Sequence, residues 1–433
     1  LVSTETWWAT LFSTLSTLED IDVDYTLVES SALFAQGVVA GTESEQALNE
    51  APDHLELSIQ WDLAQRVADT FGVRETPGRH HSNERLDLSY QGLKLTFYIY
   101  FNTVVVTDPD RLRIEHMGRA VWVKALDYYL HAYPREHAVT RAVQSYFQRL
   151  QQHNSELNQR AWNQAAYGAW VQRHGEPATH AARIQQDPRA RLASLNKYLP
   201  PVEGAKVMNL LGSHGSKAIA LALLGARVTI VDISQENAHY AREVAAAVGV
   251  PLRYLVTDVL QLSPQELDGS YDLVFMEMGI LHYFVDLAPL ARIVRQLLRP
   301  GGLLILQDFH PVSTKLISSK GKKHRVSGNY FDKSLHVTDV AFSKHLAEKD
   351  ATTETGRVYQ RYWNLGEIVT AFATSGLVIQ RLDEEPNTKI DDIGIPKTFT
   401  LTAIRSGLAS DFLFTHENDR KITNAQTDPA ADA

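Results

Sequence analysis

Between residues 207 and 234 the chain reads VMNLLGSHGSKAIALALLGARVTIVDIS. An apolar run is followed by a short loop holding Gly212 and Gly215, a helix-forming stretch, and a second apolar run that ends on Asp232. Strand, loop, helix, strand and acid in this order make a nucleotide-binding unit. The loop brings backbone N–H groups and a helix N-terminus to the ligand, and the acid after the second strand accepts hydrogen bonds from ribose hydroxyls. Leu211 and Ser213 stand where a dinucleotide fingerprint places glycine. A pyrophosphate requires close backbone approach, so these two residues argue against a dinucleotide. A ligand with a ribose and no phosphate asks less of the loop.

The unit lies within a longer alternation. From Ala205 onwards, KVMNLL, RVTIVDIS, LRYLVTDV, YDLVFMEMG and LLILQDF read as strands. They are separated by the helical stretches KAIALALLG, ENAHYAREVAAAVG and LAPLARIVRQLL, the last ended by RPGG. GEIVTAFATSG adds a helix and KTFTLTAIR a final strand. Such alternation predicts a parallel, doubly wound sheet. The stretch from Glu136 to about Leu195 is polar and rich in Gln, Arg and Ala, and is expected to be a helical connector and lid. Residues 1–150 mix helices and strands and form a smaller α+β domain. Helices are expected in ETWWATLFSTLSTL and in AVWVKALDYYLHAYP, which stops at Pro134. DYTLVESSALFAQGV reads as a strand running into a helix, and HLELSIQWDL and LKLTFYIYFNTVVV as strands. The division is therefore 1–150, 151–405 and a polar tail, 406–433, expected to be disordered.

Composition narrows the chemistry. The 433 residues include no Cys, which excludes disulfides, thiolate zinc sites, a cysteine nucleophile and a radical iron–sulfur cluster. The net charge of −9 argues against a broad nucleic-acid surface. No apolar run approaches the roughly 18 residues of a membrane span. The opening stretch LVSTETWWATLFSTL has neither a basic region nor a small-residue cleavage site, so no leader is expected and cytoplasm is the default compartment.

The blocks VMNLLGSHG, VTIVDIS, LVTDVLQL, YDLVFMEMGILHYF and LLRPGGLLILQDFHP, in that order and followed by a closing β-hairpin-like end, resemble the class I S-adenosylmethionine-dependent methyltransferases over about residues 155–405. The resemblance implies a Rossmann-like, seven-stranded α/β sheet and S-adenosyl-L-methionine as cofactor. It implies cofactor contacts at Leu211, Gly212, Ser213 and Gly215, and at Asp232, Ile233 and Asn237. Asp258 would meet the adenine edge beside Val259, with Glu277, Met278 and Gly279 also near the ligand. That family usually has glycine at Leu211 and Ser213 and an acid at Asn209, which leaves the methionine end of the site open.

Methyl transfer is an in-line displacement at a sulfonium carbon. It requires positioning, exclusion of water and, for some acceptors, a base. His310, in QDFHP at a strand end, is the first choice of base, and His282 with Tyr283 the second. Asp308, Tyr330, Tyr362 and Trp363 are expected around the acceptor, with Tyr359 and Asn364 beside them. KLISSKGKKHRVSG is read as a basic surface loop or mobile lid. No metal is expected.

DYTLVESSALFAQGV and HLELSIQWDLAQRVADTFG resemble the nucleotidyltransferase fold over about residues 7–135. That family has a Gly-Ser loop and paired acids that hold Mg²⁺. Here the loop is Glu29-Ser30-Ser31, the acid pair falls on Glu56 and Ser58 (or Asp53 and Asp62), and Thr96 stands where the third acid would be. The resemblance therefore implies a degenerate domain used for packing, dimer contact or recognition.

The expectation is a two-domain enzyme that methylates a small-molecule acceptor, with no membrane or nucleic-acid partner and with homodimerisation left open. Two alternatives stand beside it. One is cleavage or cyclisation of the cofactor with release of methylthioadenosine. The other is a non-catalytic cofactor-binding protein.

Overall fold

The computed structural model describes residues 2–38, 50–73, 83–101, 104–320, 323–346, 356–387 and 392–407. The tail expected to be disordered lies outside these residues from 408 onwards.

The N-terminal part is a six-stranded sheet with helices packed on it. Its strand order is Asn83–Tyr90, Leu93–Tyr100, His54–Gln60, Tyr25–Leu27, Arg119–Lys124, Arg111–His116. Helix Thr4–Asp20 is started by Ser3, whose hydroxyl accepts from the Thr6 N–H at 3.1 Å. Its buried residues Trp7, Leu11, Leu15 and Leu18 recur at helical spacing and meet Leu55, Leu57 and Phe97 of the sheet. The segment expected as one helix up to Pro134 is divided. Arg119–Lys124 is a strand and only Leu126–Ala132 is helical. Val121 and Val123, both buried, alternate as a sheet face requires, and this overrides the apolar content that suggested a helix.

Helix Ala138–Trp162 is continuous through position 150. Its Val143 and Phe147 belong to the N-terminal core, whereas Ala161 belongs to the C-terminal one. Further helices at Ala166–His174, Pro177–Gln186 and Pro188–Arg191 complete the helical segment.

The C-terminal sheet has seven strands in the order Arg253–Val256, Arg227–Asp232, Lys206–Leu210, Tyr271–Glu277, Leu298–Phe309, Asp392–Arg405, Leu377–Asn387. In chain order this is 3-2-1-4-5-7-6. Strict alternation divides its side chains between two cores. Val207, Ile230, Phe275 and Ile305 face one side, and Met208, Val231, Val274 and Leu304 face the other. The first five strands are parallel, but Asp392–Arg405 runs antiparallel to both neighbours. The antiparallel last pair is the closing hairpin-like end expected from the sequence. Only residues 388–391 separate the last two strands, too few for a crossover connection. The basic stretch expected as a loop is instead a short hairpin, Ile317–Lys320 with Lys323–Val326. Among the described residues no helix is long and apolar enough to cross a membrane.

Candidate active site

Strand Lys206–Leu210 ends in the loop that opened the sequence argument. Leu211 and Ser213, standing where glycine was expected, adopt left-handed backbone with φ of 51° and 48°. Backbone demand for a turn is thus met without the residue that meets it most easily. Gly212 is held between neighbours. A Cβ there would come 2.4 Å from Asn209 Oδ1 and 2.6 Å from Ile230 Cγ2. Asn209 is buried in the place of the usual acid, and its amide donates to the Phe275 carbonyl at 3.3 Å.

Asp232 closes the second strand against this loop. Its carboxylate accepts from the Ser213 N–H at 2.9 Å, the Ser234 N–H at 2.9 Å and the Asn237 amide at 3.0 Å. Burial pushes its carboxyl above the usual range, and these donors oppose the rise. Asn237 also accepts from the Trp170 indole at 2.7 Å, which ties the helical segment to the site. Asp258 caps the turn after the third strand by accepting from the Leu260 N–H at 2.8 Å.

The fourth strand ends at Glu277, which pairs with Lys217 of helix Ser216–Leu223. Burial raises the Glu277 carboxyl above its usual range, and the Lys217 ammonium works against that. Met278 and Gly279 follow with φ of 56° and 79°. Asp308, at the end of the fifth strand, holds this turn from behind. Its carboxylate accepts from the N–H groups of Gly279 at 2.5 Å, Ile280 at 3.2 Å and Leu281 at 3.0 Å. Asp308 is therefore a positioning residue for the loop that carries His282.

These parts surround a cavity of about 530 Å³ at the C-terminal ends of the strands. Leu211, Gly212, Ser213, Asp232, Ile233, Asn237, Asp258, Val259, Glu277, Met278 and Gly279 all line it, as do His282 and Tyr283. Gly215 does not; at φ 72° it starts the helix and packs near Ile230. The Tyr283 hydroxyl accepts from the Trp162 indole at 3.2 Å, and burial raises its pKa. His282 Nε2 is buried with no hydrogen-bond partner. Burial lowers the His282 pKa to about 4, with Asp308 opposing.

The other expected residues stand apart. His310 does not line the cavity. It bonds Glu384 through Nε2 at 2.6 Å and accepts from the Val312 N–H at 3.1 Å, which fixes a turn against the last hairpin. Tyr330, Tyr362 and Trp363 also lie outside the lining. The Tyr330 hydroxyl accepts from the Leu365 N–H at 3.1 Å. The Tyr362 hydroxyl donates to Gln360 at 2.9 Å, and the Trp363 indole to the Leu281 carbonyl at 3.0 Å. Tyr359 is joined through its backbone to Asn158 at 2.9 Å. Asn364 caps helix Leu365–Thr374 in a capping box with Glu367.

Sequence reasoning missed part of the cavity wall. Trp170, Arg173, His174, Arg191, His214, Lys344 and His345 line it, brought together from four separate segments. Only His214, inside the loop itself, offered a local signal. Among the described residues no group of three or more His, Cys, Asp or Glu is placed to hold a metal ion.

Residues 211–306 match the family model described as a methyltransferase domain. This stretch of the chain is a methyltransferase domain. The domain is similar to the ubiquinone biosynthesis O-methyltransferase of Methylocella silvestris, with 34% identity over 110 residues, covering 25% of this chain and 42% of the relative. The enzyme of the same name from Xanthomonas axonopodis pv. citri is 32% identical over 120 residues, covering 28% and 49%. The chain thus spans less than half the length of these curated relatives. A solved S-adenosylmethionine-dependent methyltransferase from Mesorhizobium loti is 22% identical with a TM-score of 0.40, covering 50% of this chain and 98% of that one. Magnesium protoporphyrin IX methyltransferase from Synechocystis PCC 6803 is 19% identical with a TM-score of 0.36, covering 58% and 100%.

Methyltransferase domains of this class use S-adenosyl-L-methionine, and the residues present fit it. The Asp232 carboxylate and the backbone of the Leu211–Ser213 loop lie in the cavity wall, and the Ser213 hydroxyl is buried without a partner.

Proposed function

We propose that the protein transfers a methyl group from S-adenosyl-L-methionine to a small-molecule acceptor. The observation that carries this reading is the convergence of Asp232, the Leu211–Ser213 loop, Asp258 and the Glu277–Gly279 turn on one cavity with His282 and Tyr283. Asp232 would accept from the ribose hydroxyls, and Asp258 with Val259 would meet the adenine. The left-handed loop and Glu277 would face the methionine end. Bound there, the cofactor supplies an electrophilic methyl group on a sulfonium.

His282 is the base this reading selects in place of His310. Its Nε2 is in the lining without a hydrogen-bond partner, and burial keeps the ring neutral near pH 7, so it can accept a hydrogen bond from an acceptor hydroxyl and take up its proton as the methyl transfers. The O-methyltransferase names of the curated relatives make a hydroxyl the first acceptor group to try. Trp162, Trp170 and the helical segment would exclude water from the transfer.

The N-terminal part is read as a degenerate nucleotidyltransferase-like domain. Glu29, at φ 50°, begins the Glu29-Ser30-Ser31 segment. Glu56 already accepts from the Ser30 N–H at 3.0 Å, the Ser30 hydroxyl at 2.6 Å and the Tyr98 hydroxyl at 3.0 Å, with His54 Nε2 at 3.3 Å. An acid so fully engaged by its own chain has little capacity left for a metal ion. The Asp127, Lys333 and Arg361 ion pairs join this part to the methyltransferase domain.

The deciding experiment is mass spectrometry of the sulfur product after incubation with S-adenosyl-L-methionine, with and without a small-metabolite extract. S-adenosylhomocysteine formed only with extract supports methyl transfer, and the metabolite that gains a methyl mass names the acceptor. Methylthioadenosine formed without extract would overturn the proposal in favour of cleavage or cyclisation. Binding with no product in either arm would also overturn it.

A further inference from the structure

The end of the cavity that the sequence did not reveal has its own electrostatic character. Arg173 and His174 come from the last turn of helix Ala166–His174, and Arg191 ends helix Pro188–Arg191. His214 comes from the loop after the first strand, and Lys344 and His345 from the turn Ser343–His345. The rings are close. His174 lies 4.7 Å from His214, and Trp170 lies 4.7 Å from His214 and 6.1 Å from His345 between ring centres. Arg173 donates to His345. Among the described residues none of Arg173, Arg191 and Lys344 forms an ion pair with a carboxylate.

Charge counting separates this end from the nucleoside end. The lining carries four permanent cations, Arg173, Arg191, Lys217 and Lys344, against three carboxylates, Asp232, Asp258 and Glu277. Lys217 and Glu277 are paired, and the other two acids lie at the ribose and adenine positions. Three cations therefore remain at one end of the cavity of a protein whose net charge is −9. The dipole of helix Ala166–His174 favours a cation at Arg173. It does not account for Arg191, on a single helical turn, or for Lys344. The imidazoles of His174 and His214 are held below their usual pKa, first by burial and then by neighbouring histidines and arginines, so they add donors and acceptors rather than further charge. His174 Nε2 is buried without a partner in the same wall.

The cofactor does not neutralise this surplus. Its methionine end carries one carboxylate and one ammonium, and its sulfonium makes the whole molecule a net cation. The loaded cavity would be more positive than the empty one.

We infer that the basic end of the cavity, formed by Arg173, Arg191 and Lys344 with His174, His214 and His345, is an anion subsite for the acceptor, and that the methylated molecule carries a carboxylate or phosphate group. The inference rests on the methyl-transfer reading and narrows its substrate class. A fixed positive end would draw an anionic acceptor into the cavity and set which of its groups faces His282.

The test uses the full chain saturated with S-adenosylhomocysteine, whose own carboxylate then occupies the cofactor position. Inorganic phosphate and benzoate are titrated into this complex by calorimetry, for the wild type, Lys344→Gln and the double variant Arg191→Gln/Lys344→Gln. The expected result is binding of at least one probe to the wild-type complex, weakened at least about tenfold in the double variant, with S-adenosylhomocysteine affinity changed less than about twofold. The exposed Lys344→Gln alone should weaken the probe to an intermediate degree, which keeps the test open if the double variant fails to fold. No heat from either probe with the wild-type complex overturns the inference while leaving methyl transfer standing. A loss of S-adenosylhomocysteine affinity with probe binding unchanged also overturns it, and assigns the cations to the cofactor carboxylate. Failure of the wild type to bind S-adenosylhomocysteine would overturn the methyl-transfer reading and this inference together.

Discussion

Ser213→Gly should stabilise the ligand-free protein. Ser213 holds φ at 48°, and its hydroxyl is buried without a hydrogen-bond partner. Left-handed backbone costs an L-residue roughly 1–2 kcal/mol. A buried unsatisfied hydroxyl costs about 1 kcal/mol or more. Against these, the glycine chain loses about 0.5–1 kcal/mol more conformational entropy on folding. The contacts made by the Ser213 backbone, N–H to Asp232 and carbonyl from Tyr254 at 2.7 Å, survive the substitution. The balance favours the variant by about 1 kcal/mol, or about 2–4 °C in Tm for a domain of this size. Scanning calorimetry of the full chain is the assay, read on the transition that S-adenosylhomocysteine moves, since that transition belongs to the methyltransferase domain. The same hydroxyl is the donor left free for a ligand, so S-adenosylhomocysteine affinity should fall by about five-fold, the equivalent of one lost hydrogen bond. A variant destabilised by about 1 kcal/mol or more would refute the reasoning, because it would mean that the backbone is unstrained there or that the hydroxyl is engaged in the free protein.

Gly212→Ala should lower stability by about 1–3 kcal/mol and abolish S-adenosylhomocysteine binding in calorimetry, since the new methyl meets Asn209 and Ile230 at 2.4 and 2.6 Å. Stability should fall as pH drops from about 6.5 towards 4. His180 and His282 have folded pKa values near 4 and His174 near 3, so over that window the unfolded chain binds more protons than the folded one. Above pH 7 their contribution is flat, and His180→Gln should make the acid-side slope in denaturant titrations shallower by up to about one proton. Asp127→Ala removes the carboxylate shared by Lys333 at 2.8 Å and Arg361 at 3.1 Å. Each cation keeps a second acid, Asp110 and Glu367, so the expected loss in urea unfolding is about 2 kcal/mol rather than the roughly 3–5 kcal/mol of a pair left wholly broken.

The loop and strand-end residues that line the cavity were legible because they are local. Leu211 to Ser213, Asp232, Asp258 and Glu277 to Gly279 each follow directly on a strand of the alternating pattern, and every strand end of a parallel sheet points the same way. His282 was legible for the same reason. His310 was misjudged despite also following a strand, because Leu298–Phe309 is paired with an antiparallel neighbour that closes over its end and supplies Glu384 from the adjoining strand. Tyr362 and Trp363 looked like pocket aromatics, but the Trp363 ring carries Arg361 at 3.9 Å and its indole is spent on the main chain. An aromatic doublet has the same sequence signature in a core as in a pocket.

Sequence alone determined the alternation of elements, the loop without its glycines and the acids at the strand ends. These follow from periodicity and chain adjacency, which a linear string contains. Tertiary structure alone decided that His310 faces Glu384 rather than the cavity. It also gathered Arg173, Arg191, His214 and Lys344 at one end. Those residues lie up to 171 positions apart and share no spacing. They meet because helices packed for hydrophobic reasons carry their charged ends to the same rim, and packing between distant segments leaves no mark on local sequence.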